Sequence, residues 1–393
     1  MTTITTTVDL DLFSDDVLTD PYPTYRRLRD AGAAVWLPAC GCWAVSRYDD
    51  VRTALADHET YTSVRGVGLN DGVNQAIAGT VLCSEPPLHN RLRAVLAERL
   101  SPSKVRALTP AITTEAERLV DDLVQCERFD AVGDLAQVFT PSIIADLIGV
   151  PQDVRNRLLP WGNAVFDAMG PVNSRTIAAM PLIAEQTAWL AGIRTGDLAQ
   201  GSMGRAIYEA AEAGVIDEAS APPLFWAYTG AGTDTTVSAI GSAICLLAAH
   251  PEQFQRLRAD PSLVPRALTE VLRLESPIQT FTRVLRAEVT LGGITVPPGQ
   301  RLIMLYGSAN RDERHFGTSA EEFDLTRQAG DHLAFGYGLH GCAGQALARI
   351  EAQAILTAIV ERVAELRLAG PPVRRLNNAL RSFASVPVVV TPA

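Results

Sequence analysis

The sequence predicts a mainly α-helical protein with a small β-rich part, and three observations favour this fold class. Hydrophobic residues make up 47% of the 393 residues and charged residues 20%, as is typical of globular chains. Helical spacing of apolar residues dominates from 88 to 272. Strand-like runs are confined to about 33–47, 282–306 and 383–391. Because these runs are far apart in the chain, we predict a single domain, 1–393.

The individual elements follow from capping, turn and periodicity signals. In chain order we predict a turn and short helix over about 20–32, a hairpin over 33–47, a helix over 49–59, a long loop from Thr62 to Ser84, helices from 88 to 272, hairpins within 282–306, a loop over about 307–341, a last helix from Gln345 to Ala369 and a final strand. Long loops inside compact enzymes are often functional, so the loop from Thr62 to Ser84 is of particular interest.

Charge and composition exclude several partners. The net charge is −10, which disfavours nucleic acid and an acidic membrane surface. The N-terminus lacks a basic start followed by an apolar run, so no signal peptide is predicted. The apolar stretch Phe225–Ala249 could span a bilayer by length, but Asp234 and its Ser, Thr and Gly residues favour a buried core helix. Cys40 and Cys42 are expected to be reduced thiols, because no second Cys or His pair follows at metal-ligand spacing. We therefore predict a cytoplasmic protein.

The most informative stretch is a glycine-rich loop that ends in a cysteine just before an amphipathic helix, Phe335-Gly-Tyr-Gly-Leu-His-Gly-Cys342-Ala-Gly344. A thiolate at this place gains from the positive end of the helix dipole and from backbone N–H donors. The glycines let the backbone pass close to a flat, bulky cofactor. A buried structural cysteine in a tight turn is the simpler interpretation of a lone Cys.

The pattern Phe-x-x-Gly-x-His-x-Cys-x-Gly resembles the haem-binding loop of the cytochrome P-450 family at every position. This resemblance implies the cytochrome P-450 fold, with a long central distal helix and a Cys-ligand loop. It also implies haem b as cofactor, Cys342 as its axial ligand, and monooxygenase activity. A thiolate ligand donates electron density to haem iron and favours O–O cleavage.

A second motif, Ala231-Gly-Thr-Asp234-Thr235-Thr236, resembles the oxygen-activation segment of the family's central helix. The resemblance implies that Asp234 and Thr235 are catalytic. The Thr235 hydroxyl can hold a water or donate a hydrogen bond, and Asp234 can relay protons from solvent. Small residues such as Ala231 leave room for oxygen. The simpler interpretation is a Thr-rich helix whose hydroxyls bond back to its own carbonyls.

Glu270 and Arg273 match the family's Glu-x-x-Arg pair, and their i,i+3 spacing brings the two side chains together. By pattern alone this is a surface ion pair. The resemblance makes it a buried structural pair that braces the haem loop. In the family a third basic residue joins from a later segment, where this sequence has Glu322, so we expect an altered brace that is completed in another way.

Basic side chains at family positions imply propionate contacts. A cation in an apolar helical stripe requires a buried anion, and Arg pairs well with carboxylates. The expected cofactor-binding residues are His89, Arg93, Ala231, Arg283, Phe335, Gly336, His340 and Gly344.

The chain resembles in particular the bacterial enzymes that O-demethylate 4-methoxybenzoate and related para-substituted aromatic acids, on the stretches 63–69, 274–281, 307–312 and 377–381. It departs from them at the carboxylate grip. Residues 66–84 contain no Lys or Arg, and the helix positions read Ala227 and Gly230. A buried carboxylate without a cation is costly. We therefore expect a neutral methoxylated arene, such as a guaiacol- or syringol-type phenol derived from lignin, with a para-substituted benzoate as the alternative.

The residues expected to bind the substrate are mostly apolar, as in ligand pockets generally. They are Val67, Leu82, Phe166, Met169, Ala231, Gln279 and Phe281. The phenol hydroxyl is expected to meet Asn70, Asn74, Gln75 or Thr80.

The resemblance also implies partners. Electrons are expected from NAD(P)H through a reductase and an iron–sulfur ferredoxin, which docks near Cys342 where Arg91 or Arg349 offers positive charge. We expect a monomer that uses O₂ and a small aromatic substrate. Rival functions are a peroxide-using haem protein, a haem-thiolate sensor without turnover, and a cysteine hydrolase.

Overall fold

The structure is a computed structural model that describes residues 6–393. Its α-helices within that range are α1 (Asp15–Thr19), α2 (Tyr22–Ala31), α3 (Tyr48–Ala56), α4 (Asp71–Ala76), α5 (Leu88–Arg99), α6 (Pro102–Val124), α7 (Gln137–Ile148), α8 (Leu158–Ala168), α9 (Ser174–Gly192), α10 (Met203–Glu212), α11 (Ala221–Ala231), α12 (Asp234–Ala249), α13 (Pro251–Ala259), α14 (Val264–Glu275), α15 (Tyr306–Ala309), α16 (Glu313–Phe316) and α17 (Gln345–Arg362). A π-helical segment, Ala131–Ala136, precedes α7.

The strands form four small sheets. They are β1 (Val35–Leu37), β2 (Cys42–Val45), β3 (Tyr61–Thr62), β4 (Arg128–Asp130), β5 (Thr280–Leu285), β6 (Val289–Leu291), β7 (Ile294–Val296), β8 (Arg301–Leu305), β9 (Val363–Leu368), β10 (Val373–Arg375), β11 (Ser382–Ser385) and β12 (Pro387–Pro392). The largest sheet has the order β1-β2-β8-β5-β3. In it β5 pairs antiparallel with β8, so that Phe281 lies opposite Met304. The mainly helical fold class with a small β part is confirmed.

Most predicted elements form, with three corrections. The loop from Thr62 to Ser84 contains the short helix α4, which Asn70 caps by accepting from the N–H of Gly72 at 3.0 Å. The region 307–341 contains the single-turn helix α16. The last helix ends at Arg362 instead of Ala369, because residues from Val363 onward pair with β12 as a strand. Tertiary pairing here overrides helical propensity.

The central helix is interrupted between Ala231 and Asp234, which separates α11 from α12. The Thr235 hydroxyl donates to the carbonyl oxygen of Ala231 at 2.8 Å, and the Ser238 hydroxyl donates to that of Asp234 at 2.7 Å. Such back-bonding hydroxyls bend helices and open the backbone ladder. The central helix is therefore broken at the motif that the sequence identifies as the oxygen-activation segment.

Two helical stretches, Ala131–Ile148 and Glu218–Ala249, are long and apolar enough to cross a membrane by length and composition. Most of the residues in both are buried inside the protein. A helix that is apolar on every side fits the centre of a large folded chain, and both stretches are core helices here.

Candidate active site

A cavity of about 280 Å³ lies between the loop before α17 and the break between α11 and α12. Cys342 lines one wall, and Ala231 and Thr235 line the opposite wall. All eight residues expected to bind the cofactor line this cavity: His89, Arg93, Ala231, Arg283, Phe335, Gly336, His340 and Gly344. The sequence motifs therefore converge in space although they are up to 255 positions apart in the chain (344 minus 89).

Cys342 is held by the backbone of its own loop. Its N–H donates to the carbonyl oxygen of Phe335 at 2.8 Å, and its exposed surface faces the cavity. Burial raises the pKa of the Cys342 thiol, while the N–H of Gly344 and the charge of Arg93 act in the opposite direction. Coordination to a metal ion deprotonates a thiol outright, so these donors suit a thiolate ligand.

Two glycines in the same loop are required by its shape. Gly336 and Gly338 have φ of +68° and +70°. A Cβ on Gly338 would lie 2.6 Å from the carbonyl oxygen of Leu55. Since other residues rarely adopt this backbone conformation, the loop needs glycine at both positions to bring Cys342 to the cavity.

Basic side chains at one end of the cavity fit the haem propionates. Nε2 of His89 and Nε2 of His340 are buried, and neither has a hydrogen-bond partner among residues 6–393. Nε2 of His340 lies 3.5 Å from a carboxylate oxygen of Glu85, without hydrogen-bond geometry. Arg93 and Arg283 line the same end. Buried polar groups normally find partners, so two orphaned imidazole nitrogens beside two guanidinium groups fit an anionic cofactor.

The brace behind the loop is a cluster of three charged side chains centred on the buried Glu270. Arg273 donates to both carboxylate oxygens of Glu270, at 2.7 and 2.8 Å, and both side chains are fully buried. Arg327 donates to Glu270 Oε1 at 3.0 Å. Glu322 contributes only its carbonyl oxygen, 3.4 Å from Arg273. The side chain that completes the brace is therefore that of Arg327 and not that of Glu322.

The predicted catalytic pair is divided between the cavity and the protein interior. Thr235 lines the cavity, whereas Asp234 is buried behind it. Arg375 donates to both carboxylate oxygens of Asp234, at 2.6 and 2.7 Å, and the Asn163 amide donates at 3.1 Å. Neither Arg375 nor Asn163 could be identified from the sequence, because both come from segments remote from Asp234.

Five of the seven residues expected to bind substrate line the cavity: Leu82, Phe166, Met169, Ala231 and Phe281. The assignment of the other two, Val67 and Gln279, is corrected by the structure. Val67 packs behind the wall in a cluster with Phe166 and Met169. The Gln279 amide donates to the carbonyl oxygens of Glu275 and Ser276, at 3.0 and 2.7 Å. The last carbonyl groups of a helix have no partner within the helix and accept from nearby donors. The Gln279 amide is therefore occupied by the carbonyl groups at the end of α14 and does not face the cavity.

Of the four residues proposed for the phenol hydroxyl, only Thr80 lines the cavity. Its own hydroxyl donates to the carbonyl oxygen of Ile77 at 2.8 Å, so it is free only as an acceptor. Asn74 is bonded to both the N–H and the carbonyl of Gly68, at 3.0 and 2.9 Å. Asn70 caps α4, and Gln75 is exposed.

Sequence reasoning missed several cavity residues. Trp226, Ile278 and Tyr306 also line it. Ile278 lies within the aromatic-acid motif, so that motif could have revealed it. Glu351 lines the cavity too, fully buried, and neither carboxylate oxygen has a partner among residues 6–393. Burial raises the pKa of Glu351 well above its ordinary value and so favours the protonated form of this side chain.

A cysteine thiol at a helix N-terminus, basic side chains suited to an anionic cofactor and a hydroxyl on a broken distal helix are what a haem-thiolate oxygenase requires. Comparison with known proteins agrees. The family model for cytochrome P450 matches residues 224–364. Cytochrome p450 CYP199A2 from Rhodopseudomonas palustris is 39% identical over 389 residues, which cover 98% of this chain and 94% of that protein. The chain belongs to the cytochrome P450 family. It is a monooxygenase that binds haem b.

Solved structures give the same answer. Epothilone D-bound cytochrome P450epoK has a TM-score of 0.86 and 27% identity, over 98% of this chain and all of that one. Cytochrome P450 CREJ in complex with (4-ethylphenyl) dihydrogen phosphate has a TM-score of 0.85 and 28% identity, over 95% of this chain and 98% of that one.

Proposed function

We propose that this monooxygenase O-demethylates a small neutral methoxylated arene of the guaiacol or syringol type and releases formaldehyde. One observation carries the proposal. The only Lys or Arg residues that line the cavity in residues 6–393 are Arg93 and Arg283, and both lie at the cofactor end. Arg65, the remaining candidate for a carboxylate grip, is exposed and outside the lining. An aryl carboxylate would therefore be buried without a cation, at high cost.

The shape and chemistry of the wall support an aromatic substrate. Phe166, Phe281 and Trp226 provide aromatic faces, and Leu82 and Met169 fill the space between them. Edge-to-face and stacked contacts with such rings favour a flat aromatic ligand. A related cytochrome P450, 28% identical to this chain, was solved in complex with a small para-substituted arene, (4-ethylphenyl) dihydrogen phosphate. An aromatic substrate for this chain is consistent with that relative.

Bound haem supplies the activation of O₂ that hydroxylates the methoxy carbon. Cys342 would hold the iron, and His89, Arg93, Arg283 and His340 would hold the propionates. The apolar wall orients the ring with its methoxy group toward Cys342 and excludes bulk water. Hydroxylation at the methoxy carbon gives a hemiacetal, which then collapses to a phenol and formaldehyde.

The residues at the break between α11 and α12 deliver the protons that the reaction needs. Thr235 is the cavity-lining member of the predicted catalytic pair. Its hydroxyl donates to the Ala231 carbonyl oxygen, so it orients a water through its oxygen lone pairs. Asp234 supplies protons to this water from behind. General acid catalysis by positioned groups typically contributes about 10²–10⁴-fold.

Electrons arrive from NAD(P)H through a reductase and a ferredoxin that docks near Cys342 on a cytoplasmic monomer. Arg91 is exposed and suits this surface. Arg349 suits it less, because its guanidinium lies 5.0 Å over the Phe335 ring and donates to the Thr269 hydroxyl at 3.2 Å. Arg91→Glu should therefore lower the electron-transfer rate more than Arg349→Gln at low salt.

The test is an optical titration of the purified ferric protein with guaiacol, syringol and 4-methoxybenzoate, followed by formaldehyde assays with reductase and ferredoxin. Spin shifts with the phenols, none with the acid, and one formaldehyde per phenol are expected. A tight shift with the acid alone would overturn the neutral pocket. Spin shifts without substrate-dependent NAD(P)H consumption would indicate a sensor.

A further inference from the structure

The segment Arg375–Asn378 connects the buried acid Asp234 to the corner between α8 and α9. Arg375 grips both oxygens of Asp234, at 2.6 and 2.7 Å, and its own side chain is 24% exposed while that of Asp234 is fully buried. The Asn163 amide of α8 also donates to Asp234, at 3.1 Å. The Asn377 amide in turn donates to the carbonyl oxygen of Asn163 at 3.1 Å. The acid is thus tied to α8 as well as to Arg375.

The next residue, Asn378, is bonded to the corner itself. Its N–H donates to a carboxylate oxygen of Asp167 at 2.9 Å, and its amide donates to the Asp167 carbonyl at 2.8 Å. The amide is also 3.1 Å from the Thr176 hydroxyl of α9. The side chain of Arg175 donates to the Asn378 amide oxygen at 3.1 Å. Asn378 therefore fixes the end of α8 and the start of α9 together.

The same corner forms part of the substrate cavity. Phe166 and Met169, on either side of Asp167, line that cavity. A movement of α8 when substrate enters would pull on Asn163 and Asn378, and so on the segment that carries Arg375. While the Arg375 guanidinium donates to both carboxylate oxygens of Asp234, this carboxylate is not free to rotate toward the water proposed at Thr235.

We propose that Arg375 is a positioning residue whose ion pair with Asp234 controls when Asp234 can release a proton. Asn378 couples this ion pair to the position of the α8–α9 corner. The proposal rests on the relay role proposed above for Asp234. A merely structural ion pair is the alternative, since buried pairs occur widely without controlling chemistry.

The first test uses the ferric holoprotein and requires no substrate. Infrared difference spectra of Arg375→Gln against the wild type should show a new carbonyl band of a protonated carboxylic acid, because a buried carboxylate left without its partner takes up a proton. The band should be missing from the double variant D234N/R375Q and from Arg375→Lys. Arg374→Gln is the matched control, since Arg374 pairs with Glu275 at 2.8 Å instead. No new band in R375Q would overturn the grip of Arg375 on Asp234.

The second test measures the fraction of electrons that is lost as hydrogen peroxide during turnover. R375Q should raise this fraction several-fold, R375K should restore it, and Asn378→Ser should raise it although it does not touch Asp234. The double variant R375Q/N378S should be no worse than R375Q alone. Additive effects, or an unchanged fraction in N378S at unchanged melting temperature, would overturn the coupling. If no methoxyarene is turned over by any variant, the substrate proposal fails while the infrared result still stands.

Discussion

The two ends of the cavity are built from different kinds of interaction. At the cofactor end, each residue is assigned a partner of fixed chemistry by the proposed function: Cys342 the haem iron, and Arg93 and Arg283 the propionates. Gly338 faces the backbone of Leu55, whose carbonyl oxygen leaves no room for a Cβ. At the substrate end, side chains such as Phe281 and Leu82 contribute only shape and apolar surface. Residue identity is therefore decisive at the first end, and volume at the second. Substitutions at the two ends should differ in kind.

The largest effect should come from the iron ligand. Cys342→Ser removes the soft thiolate that pushes electron density to haem iron, so turnover should fall to background and the thiolate signature of the carbonyl-ferrous spectrum should disappear. Cys126→Ser is the control, because Cys126 is an exposed free thiol remote from the cavity. A thiolate spectrum in the Cys342 variant would show that another cysteine binds the iron.

The next largest effect concerns the brace behind the cofactor loop. Glu270→Gln leaves Arg273 and Arg327 without their shared carboxylate, and breaking a buried pair typically costs about 3–5 kcal/mol. Urea unfolding of the holoprotein measures this loss. Glu322→Gln, at the position that the sequence aligns with the family's third basic residue, should cost less than about 0.5 kcal/mol. Equal losses in the two variants would show that Glu322 belongs to the brace after all.

The contrast between the two ends also explains how much the sequence could predict. The cofactor loop, the Glu270–Arg273 pair and the hydroxyl of Thr235 were predictable, because each is a local pattern with one chemical purpose. Arg327 and Arg375 were not, because a carboxylate accepts any guanidinium that the fold brings near it. Gln279 was misassigned for a related reason. Its place beside Phe281 suggested the pocket, but the end of α14 binds its amide.

A pH-dependent prediction concerns Asp167, at the α8–α9 corner beside the substrate end of the cavity. Burial raises the pKa of Asp167 to about 6, against the opposing charges of Arg175 and Arg375, while Asp234 adds to the increase. The pKa of Asp167 is higher in the folded protein than in the unfolded chain. Below about pH 4 the carboxyl is protonated in both states and costs no stability. As pH rises toward 6 only the unfolded chain loses the proton, so the cost in folding free energy grows, and above pH 6 it stays level. Its upper bound is about 3 kcal/mol.

Asp167→Asn keeps an acceptor for the N–H of Asn378 and removes this charge. The melting-temperature difference between this variant and the wild type should therefore rise in favour of the variant between pH 4 and pH 6, and stay level above. Exposed Asp153→Asn controls for the loss of one negative charge. A difference that is independent of pH would mean that Asp167 ionises as readily in the folded protein as in the unfolded chain.

The smallest effect separates two residues that the sequence placed in the same pocket. Phe281→Ala removes an aromatic wall that also packs edge-to-face on Tyr306, with ring centres 6.1 Å apart. Guaiacol affinity in the spin-shift titration should fall by about 1–2 kcal/mol, roughly 5- to 30-fold. Gln279→Ala should leave that affinity unchanged and instead lower the free energy of unfolding by about 1 kcal/mol, because two carbonyls of the α14 end lose their donor. If Gln279→Ala weakens guaiacol binding as much as Phe281→Ala does, the division between wall and support is wrong. If neither variant changes affinity, the ring binds elsewhere in the cavity, and Trp226 is then the aromatic wall to replace.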